Sequence, residues 1–273
     1  MFALNLTKTL RVLWCLVAAG ATGEEVRIGV FGLFHPSKLT VAPHRGVALK
    51  VMASAGTFTI SGDRRHELRG SARVMGVDGG AADFVLAVPG RIERRYRGVL
   101  SVEAEDNVLL AVVTMDRETA VASVIAAESP PGAGIEALKA QAVVSRSFYA
   151  AAGTRHRGFA FCDTTHCQFL REPLEAGSAF EKAVRETAGL LLRYRGAPIE
   201  ALFSASCGGR TKTLAQAGLS PGPYPYVAVD CPCRGASRGH GVGLCQEGAA
   251  LLAATGLSFR EILRHYFPGA AVE

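Results

Sequence analysis

Lysine is scarce in this chain of 273 residues: six, against 24 arginines, and nowhere do five basic residues run together. A nucleic-acid-binding arm is therefore not expected, although the formal charge of +6 leaves an anionic polymer as a partner. Beyond residue 21 nothing approaches the ~18 unbroken apolar residues of a membrane span. There is no internal repeat and no low-complexity tract. With 49% hydrophobic and 20% charged residues and a mean hydropathy of +0.21, disorder, collagen-like fibres and coiled coils are excluded. The length fits one large or two modest domains with real cores, so the seven cysteines are not needed as the main staples of a mini-protein.

At the N-terminus Lys8 and Arg11 precede an apolar run over residues 12–19, and Ala19-Gly20-Ala21 offers the small residues a signal peptidase reads. An export signal is expected over residues 1–21. Its removal would take the charge to +4 and leave six cysteines, an even number suited to disulfides or metal. From Glu24 to Thr114 apolar residues alternate: Val26-x-Ile28-x-Val30, Phe58-x-Ile60, Phe84-x-Leu86-x-Val88, Leu100-x-Val102, Val108-x-Leu110-x-Val112. Such alternation, broken by Gly79-Gly80, Pro89-Gly90 and Asp106-Asn107, predicts hairpin-linked strands with one buried face. His35, His44 and His66 stand apart in this half and form no ligand spacing.

After Thr114 the period lengthens. Asp116 as N-cap, Glu118 in the first turn and Val121, Val124, Ile125 and Glu128 at helical spacing predict a helix. Ser129 before Pro130-Pro131 should stop it near Glu128, because the residue before proline avoids the α region. Further helices are expected over residues 135–152 and 178–188. A strand pair should turn at Arg195-Gly196, and a last helix should start at Ser258-Phe-Arg-Glu261, a capping-box pattern. The chain is thus read as α+β, a β-rich N-terminal part followed by a mixed α/β part.

Three constellations carry chemistry. Glu128 places a carboxylate on an apolar stripe at the negative end of a helix, where desolvation and the dipole favour the protonated acid that a glycosidase needs. A glutamate frayed into solvent, or paired with Arg146, is the bland alternative. His156, Cys162, His166 and Cys167 put four soft or borderline ligands within twelve residues, which suits tetrahedral zinc. A disulfide between Cys162 and Cys167 is the competing reading, and the adjacent His166 and Cys167 are expected to diverge. Cys207, Cys231, Cys233 and Cys245 are expected to form structural disulfides. Cys231-Pro-Cys233 is too tight to pair with itself, so each pairs elsewhere or both join a metal. A nucleophile made of Cys245 or Cys207 with His240 is a further option. The Gly239-x-Gly-x-Gly243 run lacks the setting of a nucleotide loop.

Taken in order, several segments resemble the SpoIID/LytB family, the stage II sporulation protein D domain. They are Val124-Ile-Ala-Ala-Glu128-Ser-Pro and Glu136-Ala-Leu-Lys-Ala-Gln-Ala-Val-Val-Ser-Arg-Ser-Phe-Tyr149, then Asp163-Thr-Thr with Gln168 and Phe203-Ser-Ala-Ser-Cys-Gly-Gly-Arg-Thr211. Gly239-His-Gly-Val-Gly-Leu-Cys-Gln-Glu-Gly-Ala249 and Ile262-Leu-Arg-His-Tyr-Phe-Pro-Gly269 complete the set. With the export signal (1–21) and the β-rich support domain (22–115) read above, the resemblance implies a catalytic domain over residues 116–273. It implies an exported lytic transglycosylase of the periplasm or cell envelope, acting on peptidoglycan strands stripped of peptides by an amidase, with Glu128 as general acid/base. It further places Lys139, Gln141, Arg146, Gln168, Ser204, Thr211, His240 and Gln246 at polar positions that would line the glycan groove or support it. His156, Cys162, His166 and Cys167 resemble a structural zinc site of some members. A non-catalytic, wall-binding enhancer of an amidase is the alternative within the same family. Cys245 and Glu247 depart from the usual serine and aromatic.

Overall fold

The computed structural model describes residues 2–6, 11–12, 24–43, 48–54, 57–62, 65–76, 78–174 and 176–273. The expected export segment lies mostly outside these; of it, Phe2–Leu6 and Arg11–Val12 run as strands. The chain forms two compact units, one of residues 1–120 with 154–173, the other of residues 121–153 with 174–273.

The first unit is a mixed sheet. Its strands are β1 (Phe2–Leu6), β2 (Arg11–Val12), β3 (Glu25–Val30), β4 (Lys38–Pro43), β5 (Leu49–Ser54) and β6 (Thr57–Ser61). They continue with β7 (Arg65–Arg69), β8 (Ser71–Gly76), β9 (Ala82–Val88), β10 (Ile92–Glu105), β11 (Val108–Asp116) and β12 (Phe161–Cys162). The main order is β12-β3-β11-β10-β9-β4-β5-β6-β7, with β8 and β1 branching from β10. Within this unit all described pairings are antiparallel except β12 on β3.

Strand β10 joins two sheet segments because it changes partner along its length. Residues 92–98 pair with β9 and residues 99–105 with β11. The switch falls at Gly98, where a Cβ would lie 2.4 Å from the Thr114 carbonyl oxygen, so only glycine lets the two strands close there. The alternation read from sequence turns Phe58, Phe84, Leu86 and Leu100 into one buried face, which Tyr96 joins. Strands β1, β2, β4, β5, β7, β8 and β12 of this unit went unread; β7, Arg65-His-Glu-Leu-Arg69, offers almost no apolar residue to alternate.

The second unit is helical. It holds most of α1 (Arg117–Glu128), then α2 (Ile135–Ala151), α3 (Ala179–Glu186), α4 (Gln246–Ala254) and α5 (Phe259–Tyr266). Short strands β13 (Leu192–Tyr194), β14 (Ala197–Pro198), β15 (Phe203–Ser204), β16 (Leu244–Cys245) and β17 (Ala271–Val272) complete it. Asp116 caps α1 as expected, its carboxylate accepting from Thr119 N at 3.0 Å. The capping box of Ser258 and Glu261 opens α5.

Helix α2 is buried almost all round, as a central helix must be when neighbours cover every face. Helices α3, α4 and α5 all pack on it. Its buried polar groups are tied down: Ser147 Oγ donates to Val143 O at 2.6 Å and accepts from Leu192 N at 2.8 Å, fixing β13 to the helix. Around it Val143, Val144, Val242, Leu244, Ile262, Leu263 and Phe267 form the core. No helix among the described residues is long and apolar enough to cross a membrane.

Candidate active site and metal-ligating clusters

Glu128 is the last residue of α1, as its sequence setting predicts. Val121, Val124 and Ile125 are fully buried on that helix, while Glu128 itself is half-buried rather than frayed into solvent. Ser129 N closes on Ile125 O at 3.0 Å, and a turn over Pro130 and Gly132 then leads the chain away. The Ser129 hydroxyl, next in sequence to the acid, is buried without a hydrogen-bond partner among the described residues. Sequence reasoning passed over it, because a serine before proline reads only as a helix stop.

The polar positions drawn from the family resemblance divide by what the fold asks of them. Gln246 Nε2 donates to Gln141 Oε1 at 3.4 Å, and Gln141 Nε2 donates to Ser145 Oγ at 3.2 Å, a buried chain joining α4 to α2. Thr211 exchanges backbone and hydroxyl bonds with Val229 and so holds two loop segments together. Lys139 is bound by Glu136 and Glu186, each at 2.8 Å. The Arg146 guanidinium is wholly buried and donates to the carbonyls of Leu190 at 3.1 Å and Val184 at 3.4 Å. His240 Nδ1 accepts from Val242 N at 3.0 Å, and burial pushes the imidazole pKa down, against a backbone hydrogen bond at Phe203. Ser204 is buried and its hydroxyl has no partner among the described residues. Gln168 is buried in the other compact unit.

That β-rich unit carries the first ligand cluster. The ligand atoms of His156, Cys162, His166 and Cys167 all lie within 4.8 Å of one another. His156 Nε2 is 3.3 Å from Cys167 Sγ, and His166 Nδ1 is 3.5 Å from Cys167 Sγ and 3.8 Å from Cys162 Sγ. The expected divergence of His166 and Cys167 is overcome by a tight turn in which Cys167 N bonds Thr164 O at 3.0 Å. Cys162, hydrogen-bonded by Cys167 and by Thr164, has its pKa held down to about 3 against the effect of burial, while Cys167 is pushed up.

The frame beneath this cluster was not foreseen. Phe159 stacks on His156 with ring centroids 4.6 Å apart. Its rim presses on β3, where a Cβ at Gly29 would lie 2.5 Å from the ring. Asp163 is buried and accepts from Phe31 N at 3.3 Å and Arg94 Nη1 at 3.2 Å; burial raises its pKa and Arg94 opposes the rise.

The remaining four thiols depart from expectation. All six described cysteines are free, so the disulfides read for Cys207, Cys231, Cys233 and Cys245 are not there. Neither is the bridge between Cys162 and Cys167. The four sulfurs of the helical unit instead converge, buried, with their Sγ atoms within 4.8 Å of one another. His240 bonds to backbone rather than to a thiol, which leaves the Cys/His nucleophile without its base.

Comparison with known proteins adds two findings. Residues 105–194 match the family model SpoIID, Stage II sporulation protein. A relative from Bacillus subtilis (strain 168), the Amidase enhancer, is 35% identical over 107 residues, which make up 39% of this chain and 14% of that protein.

Proposed function

We propose, from the premise that residues 105–194 are a SpoIID family segment, that this protein is an exported lytic transglycosylase of peptidoglycan with Glu128 as its acid/base. The observation that carries the reading is the half-buried Glu128 carboxyl at the end of a buried helix, inside the matched segment. Glu128 would donate its proton to the oxygen bridging N-acetylmuramic acid and N-acetylglucosamine. As carboxylate it would then draw the proton from the muramoyl C6 hydroxyl as that oxygen closes on C1. The products are a 1,6-anhydro end and a free N-acetylglucosamine end. One carboxylate acting twice suffices, unlike the paired carboxylates of most glycosidases.

Zinc fits His156, Cys162, His166 and Cys167 by donor type and by the closeness of the four ligand atoms. With four protein ligands the ion would have no open position and would brace the β12 turn. A second reading, a wall-binding enhancer that holds glycan for an amidase without cleaving it, is favoured by the name of the Bacillus subtilis relative.

The test uses glycan strands stripped of peptides, incubated with wild-type protein, Glu128→Gln and a chelated sample, and product analysis by mass. Anhydro-muramoyl ends are expected from wild type and from the folded chelated protein, and almost none from Glu128→Gln. Binding without products selects the enhancer.

A further inference from the structure

The helical unit gathers four cysteines that no step of the proposed reaction uses: Cys207, Cys231, Cys233 and Cys245. Cys233 Sγ stands 3.4 Å from Cys207 Sγ, 3.5 Å from Cys231 Sγ and 3.7 Å from Cys245 Sγ. A disulfide requires about 2.05 Å. Four thiolates ~2.3 Å from one zinc ion stand ~3.8 Å apart, along the edges of a tetrahedron. The observed separations lie near the tetrahedral edge and far from the bond.

The four thiols arrive from three separate pieces of chain and are met by donors suited to a thiolate. Cys207 follows β15, and Gly208 and Gly209 both take positive φ, 78° and 108°, to fold the chain back around its sulfur. Cys231 and Cys233 lie on the opposite loop, held in place by Cys231 N on Gly209 O at 2.9 Å. Cys245 ends β16 and is the N-cap of α4, its sulfur accepting from Gly248 N at 3.4 Å and from Cys207 N at 3.3 Å. The Tyr266 hydroxyl is 3.1 Å from Cys231 Sγ, and Ser206 Oγ donates to Cys233 Sγ at 3.8 Å. Amide donors and a helix N-terminus supply positive potential to the sulfurs, the outer shell that a buried thiolate site needs. At Gly248 a Cβ would lie 2.2 Å from Cys231 Sγ and 2.1 Å from Tyr266 Oη, so the helix approaches the sulfurs as closely as backbone allows.

We infer that Cys207, Cys231, Cys233 and Cys245 form a second, all-thiolate zinc site. Binding replaces four S–H bonds by four Zn–S bonds and releases up to four protons, leaving a closed complex of charge −2 with no position for water. Its role is to staple a region that makes little regular structure of its own. Between β15 and β16 the named elements amount to one 3-10 turn, Ala215–Ala217. The ion would tie both ends of that excursion to the start of α4.

The full chain, purified without added chelator, is measured by elemental mass spectrometry and by zinc-edge X-ray absorption. Two zinc ions per chain are expected, with an average of three sulfur ligands each, two in the His/Cys cluster and four here. Cys233→Ser is expected to bring the content to one and the average to two sulfurs, while His156→Ala removes the other ion and raises the average to four. One zinc with two sulfurs in the wild type overturns the inference, as does a disulfide-linked peptide containing any of these four cysteines in a non-reduced digest. The wild-type spectrum decides alone if either variant is insoluble.

Discussion

The two compact units each bring four ligand atoms together, and they do so in opposite ways. In the β-rich unit His156, Cys162, His166 and Cys167 span twelve residues, and His166 is exposed. In the helical unit four cysteines span 39 residues and are all buried. A cluster closed by one turn can form late and open easily, because few other contacts depend on it. One assembled from two strand ends, a loop and a helix cap is inseparable from the core that surrounds it. Local ligand sets are also legible in sequence, whereas distant ones look like separate thiols.

The sharpest way to break this comparison is to ask which unit holds the chemistry. Glu128→Gln should lower formation of anhydro-muramoyl ends by about 100-fold or more, the usual worth of a general acid. His156→Ala should lower it far less under the same product assay; an equal loss would put the reaction in the β-rich unit. Next in size, Gly248→Ala forces a methyl group against Tyr266 and Cys231, and should cost about 3 kcal/mol in urea unfolding. The matching change in the β-rich unit, Gly29→Ala, meets only the rim of the Phe159 ring, which can swing aside. It should cost about 1 kcal/mol, read by the same method.

Chelation separates the clusters by rate. The His/Cys set should release zinc to a chelator well before the buried thiolates, seen as two phases in a colorimetric zinc-release assay. A single phase would mean that burial makes no difference.

The smallest effect expected is electrostatic. Glu136 feels burial, which raises its pKa, but Lys139 and the Phe259 amide, each at 2.8 Å, outweigh it and hold it below its ordinary 4.5. A carboxyl depressed in the folded state contributes stability above its unfolded pKa and loses it as pH falls through the folded value. Glu136→Gln should therefore cost about 1 kcal/mol at pH 7, discounted for partial exposure, and less at pH 3. Equal costs at both values would show that the carboxylate contributes nothing as a charge.

Much of the architecture was readable in advance. Period-two alternation located β3, β6, β9 and β11, and helical spacing with Asp116 and Ser258 located the starts of α1 and α5. Helix α4 was missed because its cap is a cysteine, a weak acceptor outside the usual capping set. Long β10 was seen only in part, since its first half carries Arg94, Arg95 and Arg97 among its apolar residues. Residues 154–173 read as a continuation of the helical part; the fold returns them to the β-rich unit through β12 on β3.

What the sequence determined by itself was everything set by neighbours within a few positions along the chain: strand alternation, helix caps, the carboxyl at the end of α1 and the twelve-residue His/Cys spacing. Only the tertiary structure decided which distant groups meet. It left the six described cysteines without disulfides, drew Cys207, Cys231, Cys233 and Cys245 to one point, and required glycine at positions 98 and 248. The reason is physical: side-chain period is fixed by local backbone geometry, but the convergence of remote residues is fixed by packing, which no local pattern encodes.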